Sequence, residues 1–254
     1  SNDAGWANAV QSGKRALHHY SDLVGEYPYT VARVVGAPLG FAGGMEYPTI
    51  TAIYPIPDRR SLDNVIVHEV GHNWFYGILA SDERTYPWMD EGMNSYYDHK
   101  YDHIRYGETV HLEQIAFETK AVTKTDQPIN TVSGNFSEIN YNLSAYYKTS
   151  EWLRYLEWKL GTDSFNLAMQ EYYRRWQFKH PQPSDFKAVI EEVSGKNLNQ
   201  EFALLDQKGK LPHPQSIGSK TKFLFPFNLK RIEDYLKDPS KNLITYSPLV
   251  VYNI

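Results

Sequence analysis

The chain has 254 residues, 41% of them hydrophobic, and a formal net charge of −4. That length supports one large core, or one domain with a smaller unit beside it, and the mild acidity speaks against a nucleic-acid partner, which needs clustered basic charge. There is no cysteine, so disulfides and thiolate metal sites are excluded and any zinc must sit on imidazole and carboxylate.

From Asp3 to Gly25 the apolar residues Trp6, Val10, Leu17, Tyr20 and Val24 recur at spacings of three, four and seven. This predicts a helix, with Gly25 and Pro28 as its stop. Tyr29–Val35 and Thr49–Ile56 are β-branched runs that predict strands, joined by the turn-rich stretch Gly36–Gly44. From about Ser61 the pattern becomes helical, with segments near 61–79, 89–106, 108–123, 139–160, 162–177, 184–194 and 198–205. The expected fold class is mainly α with a small β-sheet near the N-terminus.

Residues 207–222 carry lysine, proline and glycine without apolar periodicity, a linker composition. Residues 223–254 read as strand-prone and stop within Leu249-Val250-Val251-Tyr252-Asn253-Ile254. The expectation is a main domain over 1–206, a linker, and the start of a further β-rich region belonging to a longer parent chain. No apolar run approaches the roughly 18 residues of a membrane helix, so no membrane contact is expected from this stretch. The missing cysteines and the β-rich extension would suit a bacterial periplasmic or envelope protein, though the sequence itself names no compartment.

His68-Glu69-Val70-Gly71-His72 is an H-E-x-x-H motif. Residues four apart share one face of a helix, so both imidazoles can reach one ion, while Glu69 is offset toward a water. A catalytic zinc takes three protein ligands and keeps one position open. Eighteen residues lie between His72 and Glu91, which follows Pro87-Trp88-Met89-Asp90 at a helix start and can supply the third ligand. The bland alternative, two solvated histidines on a surface helix, fits poorly beside the apolar Val65, Ile66, Val67, Trp74 and Phe75. His99 and His103 are also four apart, but at about 100° per residue they rotate away from the face shared by Glu91 and Asp98. They read as a solvated or supporting face. His18, His19, His111, His180 and His213 have no ligand-like surroundings.

These residues together resemble the aminopeptidase N family of gluzincins, whose catalytic domains are thermolysin-like. Two further segments carry the resemblance. Gly43-Gly44-Met45-Glu46-Tyr47 is similar to the family's G-x-M-E-N motif, with Tyr47 in place of Asn. Tyr146-Tyr147-Lys148-Thr149 is similar to its Y-E-K-G segment, with Tyr147 for Glu and Thr149 for Gly. The resemblance spans residues 3 to 206 and implies a zinc aminopeptidase acting on peptides with a free N-terminus. It implies Zn2+ on His68, His72 and Glu91, Glu69 as the general base, and Tyr146 as donor to the oxyanion. It implies substrate contacts from Gly44, Met45, Glu46 and Tyr47, with Glu46 on the α-amine. The family's preceding β-rich domain, which completes the amine site, has no counterpart here. Two other readings stay open: a thermolysin-like endopeptidase, and a catalytically incomplete fragment that only binds peptide or zinc.

Overall fold

The computed structural model describes residues 6–40, 43–107 and 112–212. The strand-prone segment 223–254, most of the linker segment, and His111 and His213 lie outside the described residues.

Helix α1 (Ala9–Leu23) follows a 3-10 turn at Trp6–Asn8. Its buried face is Ala9, Ser12, Ala16 and Tyr20, whereas Val10 is 67% exposed. Small residues at 12 and 16 let α1 approach helix α2 (Arg59–Gly71) closely, and that approach decides the face over hydrophobicity. Tyr20 stacks on Trp74 with ring centroids 5.2 Å apart.

Between these helices lies a three-stranded sheet of order β1-β3-β2. Strands β1 (Arg33–Gly36) and β3 (Ile50–Ile53) are parallel, with Val34 opposite Thr51. Strand β2 (Gly44–Met45) runs antiparallel to β3, with Met45 opposite Ala52. Both expected strands are present but shorter, and the expected turn-rich connection yields the third. Thr51 and Ile53 are buried, and the Thr51 hydroxyl donates to the Glu69 carbonyl at 3.2 Å. The sheet therefore rests on the helix that carries the H-E-x-x-H motif.

Asp58 caps α2, its carboxylate accepting from the Ser61 amide at 2.8 Å. The helix ends at Gly71 rather than at 79 as expected. Beyond it Tyr76 takes φ +108°, and the amides of Gly77, Ile78 and Leu79 bond five residues back to His72, Asn73 and Trp74. The Phe178 amide then donates to Ile78 O at 2.7 Å and the Ala80 amide to Lys179 O at 3.1 Å. Trp74, Phe75, Ile78 and Leu79 are buried all the same. Their spacing fits a helix, but their burial does not require one.

The remaining elements are helical. Trp88–Gly92 has π winding and runs into α3 (Met93–Tyr106); α4 spans Leu112–Thr123. The single turn α5 (Glu138–Asn140) leads through a second π segment, Tyr141–Lys148, into α6 (Thr149–Leu160). Helices α7 (Thr162–Trp176), α8 (Pro183–Ser194) and α9 (Asn199–Phe202) complete the order. The main core gathers Trp74, Trp88, Trp152, Phe165 and Phe186, and a satellite core joins Phe117 and Ala121 to Leu143 and Tyr147. The two π segments meet at Gly92, where a Cβ would lie 2.3 Å from the Thr149 side chain and 2.4 Å from Ala145 O. Only glycine permits that approach.

Lys148 is fully buried and donates to Asp126 at 2.7 Å and to Gln207 O at 2.7 Å. The Gly209 amide donates to the same Asp126 carboxylate at 2.9 and 3.0 Å, and Leu211 packs on the core. The segment read as linker from 207 thus begins as part of the packed body.

Candidate active site

On α2, His68 and His72 stand one turn apart with their Nε2 atoms 3.1 Å from each other. Glu91, from the first π segment, places Oε2 3.3 Å from His68 Nε2 and 3.2 Å from His72 Nε2. The opposite ring nitrogens are held. His68 Nδ1 donates to Asp98 at 2.5 Å, and His72 Nδ1 donates to Asp90 at 2.7 Å with Phe75 O at 3.1 Å. Carboxylates on both Nδ1 atoms fix the tautomer and aim both Nε2 atoms at Glu91. Asn94 supports the helix beneath, donating to His68 O at 2.7 Å and accepting from the Tyr20 hydroxyl at 2.7 Å.

The electrostatics follow from this crowding. Burial alone would depress His68, but the hydrogen bonds to Asp98 and Glu91 push it up to about 10. His72 is likewise raised well above its ordinary value, against burial, by Asp90 and Glu91. Glu91 is held below the usual carboxylate range because the two imidazoles outweigh its burial. The raised imidazoles and the lowered carboxylate reflect their mutual attraction within one buried cluster. Donor atoms on a tetrahedral zinc with bonds of about 2.0–2.1 Å lie about 3.3 Å apart. The observed separations and donor types match that requirement, so the residues fit a zinc ion.

Glu69 is 5% exposed, and its Oε2 has no hydrogen-bond partner. Burial pushes its carboxyl up to about 7, against the pull of His68 and His72. Strand β2 passes directly over it: a Cβ on Gly44 would lie 2.4–2.6 Å from Glu69 Cγ, Cδ and Oε1. A buried carboxyl with an idle oxygen beside a metal-type donor set has the form of a proton acceptor.

Tyr146 stacks on the His68 ring at 5.9 Å, with planes 18° apart. Tyr147 points the other way, into the satellite core against Phe117 at 5.7 Å. Glu46, just past β2, brings a carboxylate oxygen within 4.8 Å of oxygens of Glu83 and Asp90. Met45 is half-buried in β2, and Tyr47 is 53% exposed. His99 pairs with Ser150 Oγ at 2.8 Å and His103 is exposed, so neither joins the donor cluster. His18 is exposed, while His19 and His180 bond to Tyr97 O and Ala80 O.

Sequence reasoning missed Asp90, Asp98, Asn94 and Glu83 as site residues. Asp98 had a usable signal, since it lies seven residues after Glu91 on one helix face. Glu83 had none, because only the loop geometry brings it in.

A metal-type donor set lodged between two helical segments, under a small sheet, marks the class of protein as one with a candidate metal centre. A family model for the peptidase family M1 domain matches residues 8–204, and the chain belongs to peptidase family M1. Aminopeptidase M1-C of Oryza sativa subsp. japonica is 24% identical over 207 residues, covering 74% of this chain and 24% of that protein. Leukotriene A-4 hydrolase of Xenopus laevis is 26% identical over 191 residues, covering 70% of this chain and 31% of its own length. Among solved structures, an M1 zinc metallopeptidase from Deinococcus radiodurans superposes with a TM-score of 0.66 at 21% identity, over 82% of this chain and 46% of that one. A mutant of that enzyme bound to the substrate Tyr-Ser-Ala gives 0.63 at 20% identity, over 78% of this chain and 44% of that one. The chain therefore spans about a quarter to a third of these curated relatives and under half of the solved neighbour.

Proposed function

We propose that the chain is the catalytic part of a zinc-dependent aminopeptidase that hydrolyses the first peptide bond of peptides with a free N-terminus. The observation that carries this is the convergence of His68 Nε2, His72 Nε2 and Glu91 Oε2 at 3.1–3.3 Å, with Glu69 buried alongside. Family membership and the tripeptide held by the Deinococcus mutant support the same reading. The arrangement is that of a thermolysin-like zincin.

His68, His72 and Glu91 would hold Zn2+, which supplies Lewis acidity toward a water and a scissile carbonyl. Glu69 takes the proton of the attacking water and passes it to the leaving amine. Its burial suits both halves of that task, because a carboxyl pushed up to about 7 both accepts and returns a proton near neutrality. The Tyr146 hydroxyl donates to the developing oxyanion. Glu46 pairs with the substrate ammonium and selects chain ends, while Gly44 and Met45 bring its strand against Glu69. The catalytic domain takes in residues 1–206 together with Gln207 and Gly209, whose backbone groups complete the Lys148–Asp126 pair, and the chain beyond leads toward a further region and other domains of a longer parent chain as partners.

Zinc content and turnover of amino-acid arylamides test this. Glu69→Gln should keep its zinc and lose about 10²–10⁴ in kcat. Full turnover by that variant overturns the mechanism, and preferential cleavage of amine-blocked peptides overturns the exopeptidase assignment in favour of an endopeptidase.

A further inference from the structure

The π segment Tyr141–Lys148 has two faces with different partners. One bears Tyr146, stacked on His68, and Tyr141, whose ring meets that of Tyr146 nearly at right angles at 5.6 Å. These tyrosines are five residues apart, the interval that π winding brings into line. The other face is polar, although it is buried. Asn140, Ser144 and Lys148 recur every four residues and are all buried. Each donates to one short strap of chain, residues 125–127, that follows α4. Asn140 Nδ2 donates to Thr125 O at 3.1 Å, the Ser144 hydroxyl to Gln127 O at 2.8 Å, and Lys148 Nζ to the Asp126 carboxylate at 2.7 Å. The strap is tied in turn: the Thr125 amide donates to Lys120 O at 2.9 Å, and Gln127 Oε1 accepts from the Ser137 amide at 2.8 Å. The Gly209 amide closes the far side of Asp126.

Apolar side chains could fill this face without desolvating an ammonium, a carboxylate and a hydroxyl, so packing alone does not account for the ladder. Direction does. Apolar contacts hold a helix close but are non-directional, and they resist rotation and sliding weakly. Hydrogen bonds of fixed length and angle resist both. A π segment needs that restraint more than an α-helix does, because its winding departs from the regular repeat. Three bonds in a row on one face fix the rotation of the segment, and with it the place of the ring on the opposite face.

We infer that Lys148, with Ser144 and Asp126, is a positioning residue for Tyr146, the buried ladder holding the Tyr146 hydroxyl in place over the His68, His72 and Glu91 group. This deepens the proposed function and rests on its assignment of Tyr146. It also extends the supports of the site to Gly209, beyond the residues that the family model matches.

The test is a double-mutant cycle on the full, zinc-loaded chain that combines Lys148→Gln with Tyr146→Phe. Two quantities are read: arylamide turnover, and calorimetric affinity for a phosphinic dipeptide analogue whose tetrahedral phosphinate stands for the oxyanion. Lys148→Gln should lower kcat and phosphinate affinity about ten- to hundredfold, the scale of a small misplacement, with KM and zinc content little changed. In the Tyr146→Phe background the same substitution should move neither by more than about twofold, because no hydroxyl is left to place. An equal loss in both backgrounds overturns the inference and makes Lys148 a structural group only. Unchanged kcat and affinity in Lys148→Gln also overturn it, as does a Tyr146→Phe chain that binds the phosphinate as tightly as the wild type. If Lys148→Gln does not fold, Ser144→Ala cuts the same ladder more gently and carries the same cycle, with an expected loss of about two- to tenfold. Phosphinate binding is read without turnover, so failure here is distinct from failure of the peptidase reading, which arylamide hydrolysis by the wild-type chain decides.

Discussion

The two walls of the cleft are constructed on opposite lines. On the wall made by α2 and the Trp88–Tyr106 segment, both histidines are held from behind, His68 by Asp98 and His72 by Asp90, and the helix backbone is held by Asn94. On the wall made by β2 and the 80–87 loop, the backbone is fixed while the carboxylates of Glu46 and Glu83 have no hydrogen bond or ion pair among the described residues. The first wall has its geometry set before anything binds, as a metal with fixed bond lengths requires. The second keeps negative charge unpaired among the described residues, which suits the ammonium recognition proposed for Glu46. On the proposed function, the difference separates a chemical role from a selecting role.

Substitutions can break or sharpen that contrast. Tyr146 stands at the first wall, and Tyr146→Phe should lower kcat by about 10²–10³ with zinc retained. Tyr147→Phe should leave kcat within a few-fold, because that ring sits in the satellite core; equal losses in steady-state kinetics would erase the distinction. Asp98→Asn should weaken zinc affinity about 10–100-fold, measured by chelator competition, and leave the preference for an amine-bearing ligand intact. Glu46→Gln should do the reverse, with about a tenfold loss of amine preference and unchanged zinc affinity. If Glu46→Gln releases zinc, or Asp98→Asn abolishes amine preference, the two walls are one coupled unit.

The legible part of the site is the part written at helical spacing. His68, Glu69 and His72 declare themselves through a four-residue repeat, and Glu91 through its distance and the helix start around it. Family resemblance carried Glu46 and Tyr146. Neither Asp90 nor Glu83 could be read, because their roles arise from π winding and from a loop closed by Asp82, neither of which has a periodic signature. Which of Tyr146 and Tyr147 faces His68 likewise needed the structure, since adjacent residues on an unevenly wound helix do not keep a fixed angular offset. Most helices lie where apolar periodicity predicts them. The exceptions are instructive: α2 stops early because a buried turn satisfies Trp74, Phe75, Ile78 and Leu79 as well as a helix would. Helix α1 turns its Ser12 and Ala16 face inward, because close approach outweighs the side chain of Val10. Strand β2, at two residues, is too short for any alternation to show.

The Lys148–Asp126 pair has a consequence for where this domain can be cut. Likeness to the family ends at 204, and composition alone puts a border at 206. Yet Lys148 relies on Gln207 O and Asp126 relies on the Gly209 amide. A version trimmed at 206 would keep the buried Lys148–Asp126 pair but remove one hydrogen bond from each partner, and a buried polar group left short of a partner costs about 1–3 kcal/mol. The packed body therefore includes Gln207 and Gly209 and reaches at least Leu211, a requirement set by solvation rather than by similarity.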